Sequence, residues 1–309
     1  MRLCSIARPR FALRGIAVAL PLLLVLGGAE AVGAASWHPR PELLVRAPWL
    51  AAHLREATQP GLRIVDVRDA AAYAQGHIPG AVNLPAEELF ATVKGVAGML
   101  PPVAQVAEAL SRAGIGADTT VVAYDDAGDL YAARLFWVLD YLGQGHGRLL
   151  DGGWRAWLRG GRSVSREAFS APYAAFTPRP KSAAIADLAW VRAHLHDPAV
   201  VLVDARSTLE YIGATRYAKH GGHIPGAVSM EWKRNLRPDG TFRSAAELRE
   251  TYEQLGVMPD REAVVYCQVL VRAAHTYFTL KWLGLPRVRG YDGSWAEWGN
   301  RDDTPKALL

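Results

Sequence analysis

The chain has 309 residues, 50% of them hydrophobic and 21% charged, with a formal net charge of +5. It is long and apolar enough to bury a sizeable core divided between two domains, which excludes an extended disordered chain. Four arginines (Arg2, Arg8, Arg10, Arg14) and one acid, Glu30, fall in the first 34 residues; setting them aside leaves 31 basic and 29 acidic residues, so no nucleic-acid footprint is supported.

Those four arginines precede a charge-free stretch over residues 15–29, followed by small residues with Val32 and Ala34 spaced for cleavage after Ala34. The pattern predicts a secretory signal peptide over residues 1–34 and export, to the periplasm in a bacterium. Fifteen apolar residues fall short of the roughly 20 that span a bilayer, so no stable membrane anchor is expected after cleavage. Cys4 leaves with the signal, which makes Cys267 a single thiol without an internal disulfide partner.

The remainder is written twice. Val65-Asp66-Val67-Arg68, Tyr73 and Gly76-His77-Ile78-Pro79-Gly80-Ala81 are answered by Val203-Asp204-Ala205-Arg206, Tyr211 and Gly222-His223-Ile224-Pro225-Gly226-Ala227. The second copy carries eight extra residues between its tyrosine and its histidine. Further on, Val122-Ala123-Tyr124-Asp125 matches Val264-Val265-Tyr266-Cys267, and Asp151-Gly152-Gly153-Trp154 matches Asp292-Gly293-Ser294-Trp295. Two long-period copies mean two homologous domains, expected over residues 42–160 and 183–305 with a Pro- and Gly-punctuated linker over 161–182.

In the second copy, residues 200–203, 263–266 and 288–291 read as buried strands and residues 244–255 and 272–283 as helices. Strand-helix alternation predicts an α/β fold with a parallel sheet flanked by helices in each domain, and sites at the carboxyl ends of the strands. His77, His223, Asp66 and Asp204 recur in both halves, including the half without the cysteine, so they are read as structural. The tryptophans are read mainly as packing residues.

Cys267 stands where a predicted strand runs into a loop and then a helix. A buried cysteine often merely packs. A loop entering a helix, however, turns several backbone N–H groups inward and favours an anion, which suits a thiolate. A cysteine-initiated loop ending in arginine also occurs in cysteine phosphatases, but those place the arginine six residues on, where this chain has Ala273; Arg272 is five on.

Together these motifs resemble the tandem rhodanese family, the thiosulfate and 3-mercaptopyruvate sulfurtransferases, over residues 42–300. The resemblance implies an N-terminal domain inactive because Asp125 replaces the cysteine, and a C-terminal domain that carries sulfane sulfur as a Cys267 persulfide. It implies a small-molecule sulfur donor and a thiol or cyanide acceptor, with a thioredoxin-like protein as one candidate, and neither cofactor nor metal. Gln268, Val269, Leu270 and Val271 form the loop, Arg272 closes it, Arg206 takes the position expected to grip the donor's charged end, and Trp232 is expected to wall the pocket.

Family members usually read Cys-Gln-Thr-Gly-Val-Arg, whereas this chain reads Cys267-Gln268-Val269-Leu270-Val271-Arg272. Leucine in place of glycine strains any φ > 0 there, and Val269 removes a hydroxyl. Reduced turnover of thiosulfate is expected, and the rival reading is an exported persulfide-binding or protein-docking module with a disabled loop.

Overall fold

The β-branched apolar runs of the sequence form two five-stranded sheets. The structure, a computed structural model, describes Met1, residues 36–59 and residues 61–308. The signal peptide expected over residues 1–34 falls, apart from Met1, outside the described residues. The first copy contributes β1 (Leu44–Val45), β2 (Leu62–Asp66), β3 (Ala81–Asn83), the hairpin β4 (Ala91–Val93) and β5 (Val96–Met99), β6 (Thr120–Tyr124) and β7 (Gly147–Leu150). The second contributes β8 (Ile185–Ala186), β9 (Val200–Asp204), β10 (Val228–Ser229), β11 (Glu262–Tyr266) and β12 (Val288–Tyr291).

The sheet orders β1-β7-β6-β2-β3 and β8-β12-β11-β9-β10 are the same topology, and every ladder in both is parallel. Parallel sheets need cover on both faces, which is why all five residues of β2 are buried. The register sets Asp66 opposite Tyr124 and Asp204 opposite Tyr266, placing the two strand-end loops of each copy side by side.

Helices Leu130–Tyr141 and Arg272–Leu283, each following one of these loops, pack against each other at the centre of the molecule. Phe136 meets Phe278 edge-on at 4.9 Å, and the Tyr277 hydroxyl donates to Asp140 at 2.7 Å. Aromatic pairs of this geometry add about 1 kcal/mol to their burial. One apolar cluster, containing Trp137, Val203, Val265 and Phe278, therefore runs through both domains.

Each domain also sends an arm onto the other. Lys94 and Gly95, both at positive φ, turn the hairpin β4–β5, and beyond it the Leu100 amide donates to Asp292 of the second domain at 2.9 Å. Reciprocally, the Phe242 amide donates to Asp151 of the first domain at 2.9 Å. The exchange leaves no local signal in the sequence, where the two copies match each other and not across their interface.

The two histidines of the repeated motif act alike. In each copy Nδ1 lies 2.9 Å from the carbonyl of the preceding tyrosine, Tyr73 or Tyr211, and the rings stack at 3.7 Å. The eight extra residues thus bulge out between an unchanged pair. Residues 161–181 form neither helix nor strand and run along the first domain, held by bonds such as Arg179 N–H to Leu142 O (2.7 Å) and Lys181 N–H to Tyr141 O (2.7 Å).

Candidate active site

Parallel β11 ends at Tyr266, and the next five residues, Cys267 to Val271, cross to the helix that starts at Arg272. The equivalent crossing in the first domain, Asp125 to Asp129, shows what such a loop holds. Asp125 accepts four backbone N–H bonds: from Ala127 (2.8 Å) and Asp129 (2.9 Å) on Oδ1, and from Tyr131 (2.7 Å) and Ala132 (3.0 Å) on Oδ2. Converging amides at a helix start are an anion cradle. Counting from the strand ends, the corresponding amides of the second domain belong to Val269, Val271, Ala273 and Ala274. Among the described residues, the first three have no hydrogen-bond acceptor in the protein, while Ala274 N–H reaches Val271 O at 3.1 Å.

Cys267 is 1% exposed and is the free cysteine among the described residues. Its loop is tied down from behind. Ser294 Oγ accepts from the amides of Cys267 (3.3 Å) and Leu270 (3.1 Å) and donates to Tyr291 O (2.7 Å). The amides of Trp295 and Ala296 donate to the carbonyls of Cys267 and Gln268, each at 2.9 Å. The Gln268 side-chain amide donates to Tyr217 O at 3.1 Å, so the eight-residue insertion of the second copy buttresses the loop.

Leu270 adopts φ = +51° where its counterpart Gly128 has +80°. A leucine there costs on the order of 1–2 kcal/mol, against about 1.5–3 kcal/mol from burying its side chain. The side chain is fully buried against Gly290, where an added Cβ would come within 2.9 Å of a Leu270 methyl. Burial therefore outweighs the strain, and the expected backbone conformation persists without its glycine. Val269 packs on the hairpin of the first domain: a Cβ at Gly98 would lie 2.6 Å from Val269 Cβ. The apolar loop and the arm covering it fit one another.

Arg272 makes a two-pronged ion pair with Glu210, at 2.6 and 2.8 Å. Burial disfavours its charge, but the Glu210 bonds and the field of Cys267 outweigh that and raise its pKa above the ordinary value. Glu210, in turn, is pushed up by burial but held below the usual carboxylate range by Arg272.

Two residues expected at the donor pocket, Arg206 and Trp232, have partners of their own in the structure. Arg206 is 2% exposed; its Nε and Nη2 bind Asp204 at 2.9, 3.1 and 2.6 Å, Nη2 also reaches Gly222 O at 2.7 Å, and the guanidinium lies 4.4 Å from the Trp295 ring centroid. Arg68 makes the same bonds to Asp66 and Gly76 O in the domain without a cysteine. A group so committed ties two loops together. Trp232 lines a groove with Ala127, Gly128 and Gly152 of the first domain, so it walls the Asp125 loop; the wall on the Cys267 loop is Gly98 of the opposite arm.

Three further residues that the motifs do not single out stand at this site: Ser294, Glu210 and Arg134. Arg134 is fully buried in helix Leu130–Tyr141, where it is the lone cation in the run Ala132 to Leu139. It pairs with Asp292 at 3.1 Å and approaches Leu89 O at 3.3 Å and Leu270 O at 3.5 Å. Burial lowers its pKa, opposed by Asp292 and the field of Cys267. An isolated charge in an apolar helix was the available signal. Among the described residues, no group of three or more His, Cys, Asp or Glu side chains is placed to hold a metal ion.

Comparison with known proteins agrees with this architecture. The Rhodanese-like domain profile matches residues 47–159 and 187–301. The thiosulfate sulfurtransferase of Azotobacter vinelandii is 40% identical over 252 residues, 81% of this chain and 92% of that protein. The sulfur carrier protein TtuD of Thermus thermophilus is 37% identical over 284 residues, 87% of this chain and 98% of that protein. The solved structure of wild-type EanB superposes with a TM-score of 0.78 at 27% identity, covering 86% of this chain and 69% of EanB. The fold and loop define a two-domain α/β protein whose first domain wraps a side-chain carboxyl in four backbone amides at a strand end. The chain belongs to the rhodanese family, a family of sulfurtransferases.

Proposed function

We propose that the protein moves a sulfane sulfur from thiosulfate, with 3-mercaptopyruvate as second choice, through a Cys267 persulfide to a thiol or cyanide acceptor. The observation that carries this reading is the Asp125 cradle. The first copy lines this loop with four amides that bond the Asp125 carboxyl, opposing the burial that raises its pKa, and the second copy puts a thiol in the same place.

The Cys267 thiolate attacks the outer sulfur of thiosulfate; a new S–S bond forms, the old one breaks, and sulfite leaves with its electron pair. With 3-mercaptopyruvate a C–S bond breaks instead, and the enolate of pyruvate takes up the thiol proton. An acceptor thiolate or cyanide then attacks the outer persulfide sulfur and regenerates the Cys267 thiolate. This is covalent, two-step catalysis. The loop amides hold the persulfide's negative charge, and Arg272, fixed by Glu210, supplies positive charge beside them.

The decisive experiment is the intact mass of reduced protein before and after exposure to each donor. A gain of one sulfur that cyanide removes is expected, and no gain with either donor would defeat the reading. Burial of Cys267 and the apolar pair Val269-Leu270 favour a second reading, a sulfur carrier that loads but turns over slowly; similarity to a sulfur carrier protein supports it. Loading without multiple turnover would select that reading.

Val269→Thr with Leu270→Gly is expected to raise thiosulfate turnover at least several-fold, by returning a hydroxyl and opening the rim. It should also lower stability by about 2 kcal/mol, because losing a buried leucine costs about 2–5 kcal/mol and relief of φ strain returns only about 1–2. Unchanged turnover would remove these two residues as the limit on activity.

Export belongs to the same proposal, with a thioredoxin-like dithiol as acceptor and no stable membrane anchor. A mature N-terminus at Ala35 in the periplasmic fraction of a Gram-negative host is the expected result of N-terminal sequencing, and an intact leader in the cytosol would refute it.

A further inference from the structure

The domain that lacks the cysteine contributes one charged side chain to the cysteine's loop. Arg134 reaches from helix Leu130–Tyr141 to three acceptors that belong to different parts of the molecule. Leu89 O ends the 3-10 turn Ala86–Leu89 of its own domain, Asp292 follows β12, and Leu270 O lies in the Cys267 loop. Its guanidinium is sandwiched 4.6 Å from the Trp137 ring centroid and 5.1 Å from that of Phe90. Its Nε is buried with no acceptor, and Asp292 is shared with the Leu100 amide. The buried positive charge is therefore only partly balanced.

A peptide unit is planar and trans, so its C=O and N–H point in opposite directions. Holding the Leu270 carbonyl toward Arg134 consequently turns the Val271 N–H the other way. In the first domain the equivalent amide, that of Asp129, donates into the cradle at 2.9 Å. Leu270 sits at φ = +51°, held there by burial of its side chain and by the bond from its amide to Ser294, which leaves the orientation of its carbonyl to Arg134. Flipping the Leu270–Val271 peptide, which rotates ψ of Leu270 and φ of Val271 and leaves φ of Leu270 unchanged, would withdraw the Val271 amide from the site.

We propose that Arg134 is a positioning residue for sulfur transfer: a clamp supplied by the first domain that holds the strained Leu270 peptide so that the Val271 amide faces the sulfur of Cys267. This rests on the persulfide reading above and names what the first domain contributes to it.

The test separates the clamp from simple charge balance. Arg134→Met leaves Asp292 buried and unpaired, so it should lose both thermal stability and sulfur loading. Arg134→Met with Asp292→Asn removes both charges. Three quantities are compared with the parent in full-length protein also carrying Cys4→Ser: the thermal midpoint, the rate of sulfur gain from thiosulfate by intact mass, and the rate of Cys267 alkylation by iodoacetamide. The double variant is expected to recover most of the thermal midpoint while loading and alkylation stay at least tenfold below the parent. Recovery of both rates along with stability would overturn the proposal and leave Arg134 as the partner of Asp292 alone. If the parent takes up no sulfur, the persulfide reading fails, and the alkylation rate still decides whether Arg134 controls the thiol.

Discussion

Cys267→Ser should give a folded protein that gains no sulfur from any donor, with turnover lower by about 10³-fold or more, the scale expected when a covalent nucleophile is lost. Folding should survive because the exchange is nearly isosteric and the Cys267 amide, which bonds to Ser294, is unchanged. The loss should be complete because an alcohol near neutral pH is almost wholly protonated and a poor nucleophile toward sulfur. The sequence holds one other cysteine, Cys4, so the comparison is made in a Cys4→Ser background by intact mass and by thiocyanate formation with cyanide. Residual sulfur uptake in that double variant would remove Cys267 from the reaction. Arg272 and Glu210 remain paired in it, so a loss can be attributed to the sulfur atom alone.

Much of the fold was legible because it is written twice. Matching Asp-x-Arg and Gly-His-Ile-Pro-Gly-Ala blocks located β2 and β9 and the turns after them, and the β-branched runs located β6, β11 and β12, since buried parallel strands leave a continuous apolar signal. Helix 244–255 appears at Ala245–Gln254, where Ser244 and Glu247 form a capping box. The hairpin β4–β5 was not legible: strands of three and four residues carry too little periodicity, and their purpose becomes visible only against Val269 of the other domain. The contact that Trp232 makes was hidden for the same physical reason. The residue follows the Gly-His-Ile-Pro-Gly-Ala block of the second copy, yet the arms are exchanged, so it faces Gly128 of the first. At the site itself, Cys267 and its loop could be found because loop chemistry is local in sequence. Arg134, 133 residues upstream of Cys267, could not, because its role depends on how two domains meet.

Arg206 tests how far duplication can be trusted as a guide to function. The repeat argument that assigned His77, His223, Asp66 and Asp204 to structure applies equally to Arg206, because Arg68 stands in the same place in the copy without a thiol. Both arginines make four matching contacts at the same distances. Arg206→Met should therefore destabilise the protein by about 3–5 kcal/mol, since it leaves the fully buried Asp204 carboxylate without its partner. Arg68→Met should do nearly the same through Asp66, tempered by the slightly greater exposure of that pair. Neither substitution should change the KM for thiosulfate of the protein that remains folded. Thermal midpoints and donor kinetics of the two variants, measured side by side, decide the matter. A KM that rises tenfold in Arg206→Met but not in Arg68→Met would return Arg206 to the donor site. Parallel loss of stability with unchanged KM would show that the active copy kept its scaffold intact and changed only what it holds in the cradle, sulfur in place of a carboxylate.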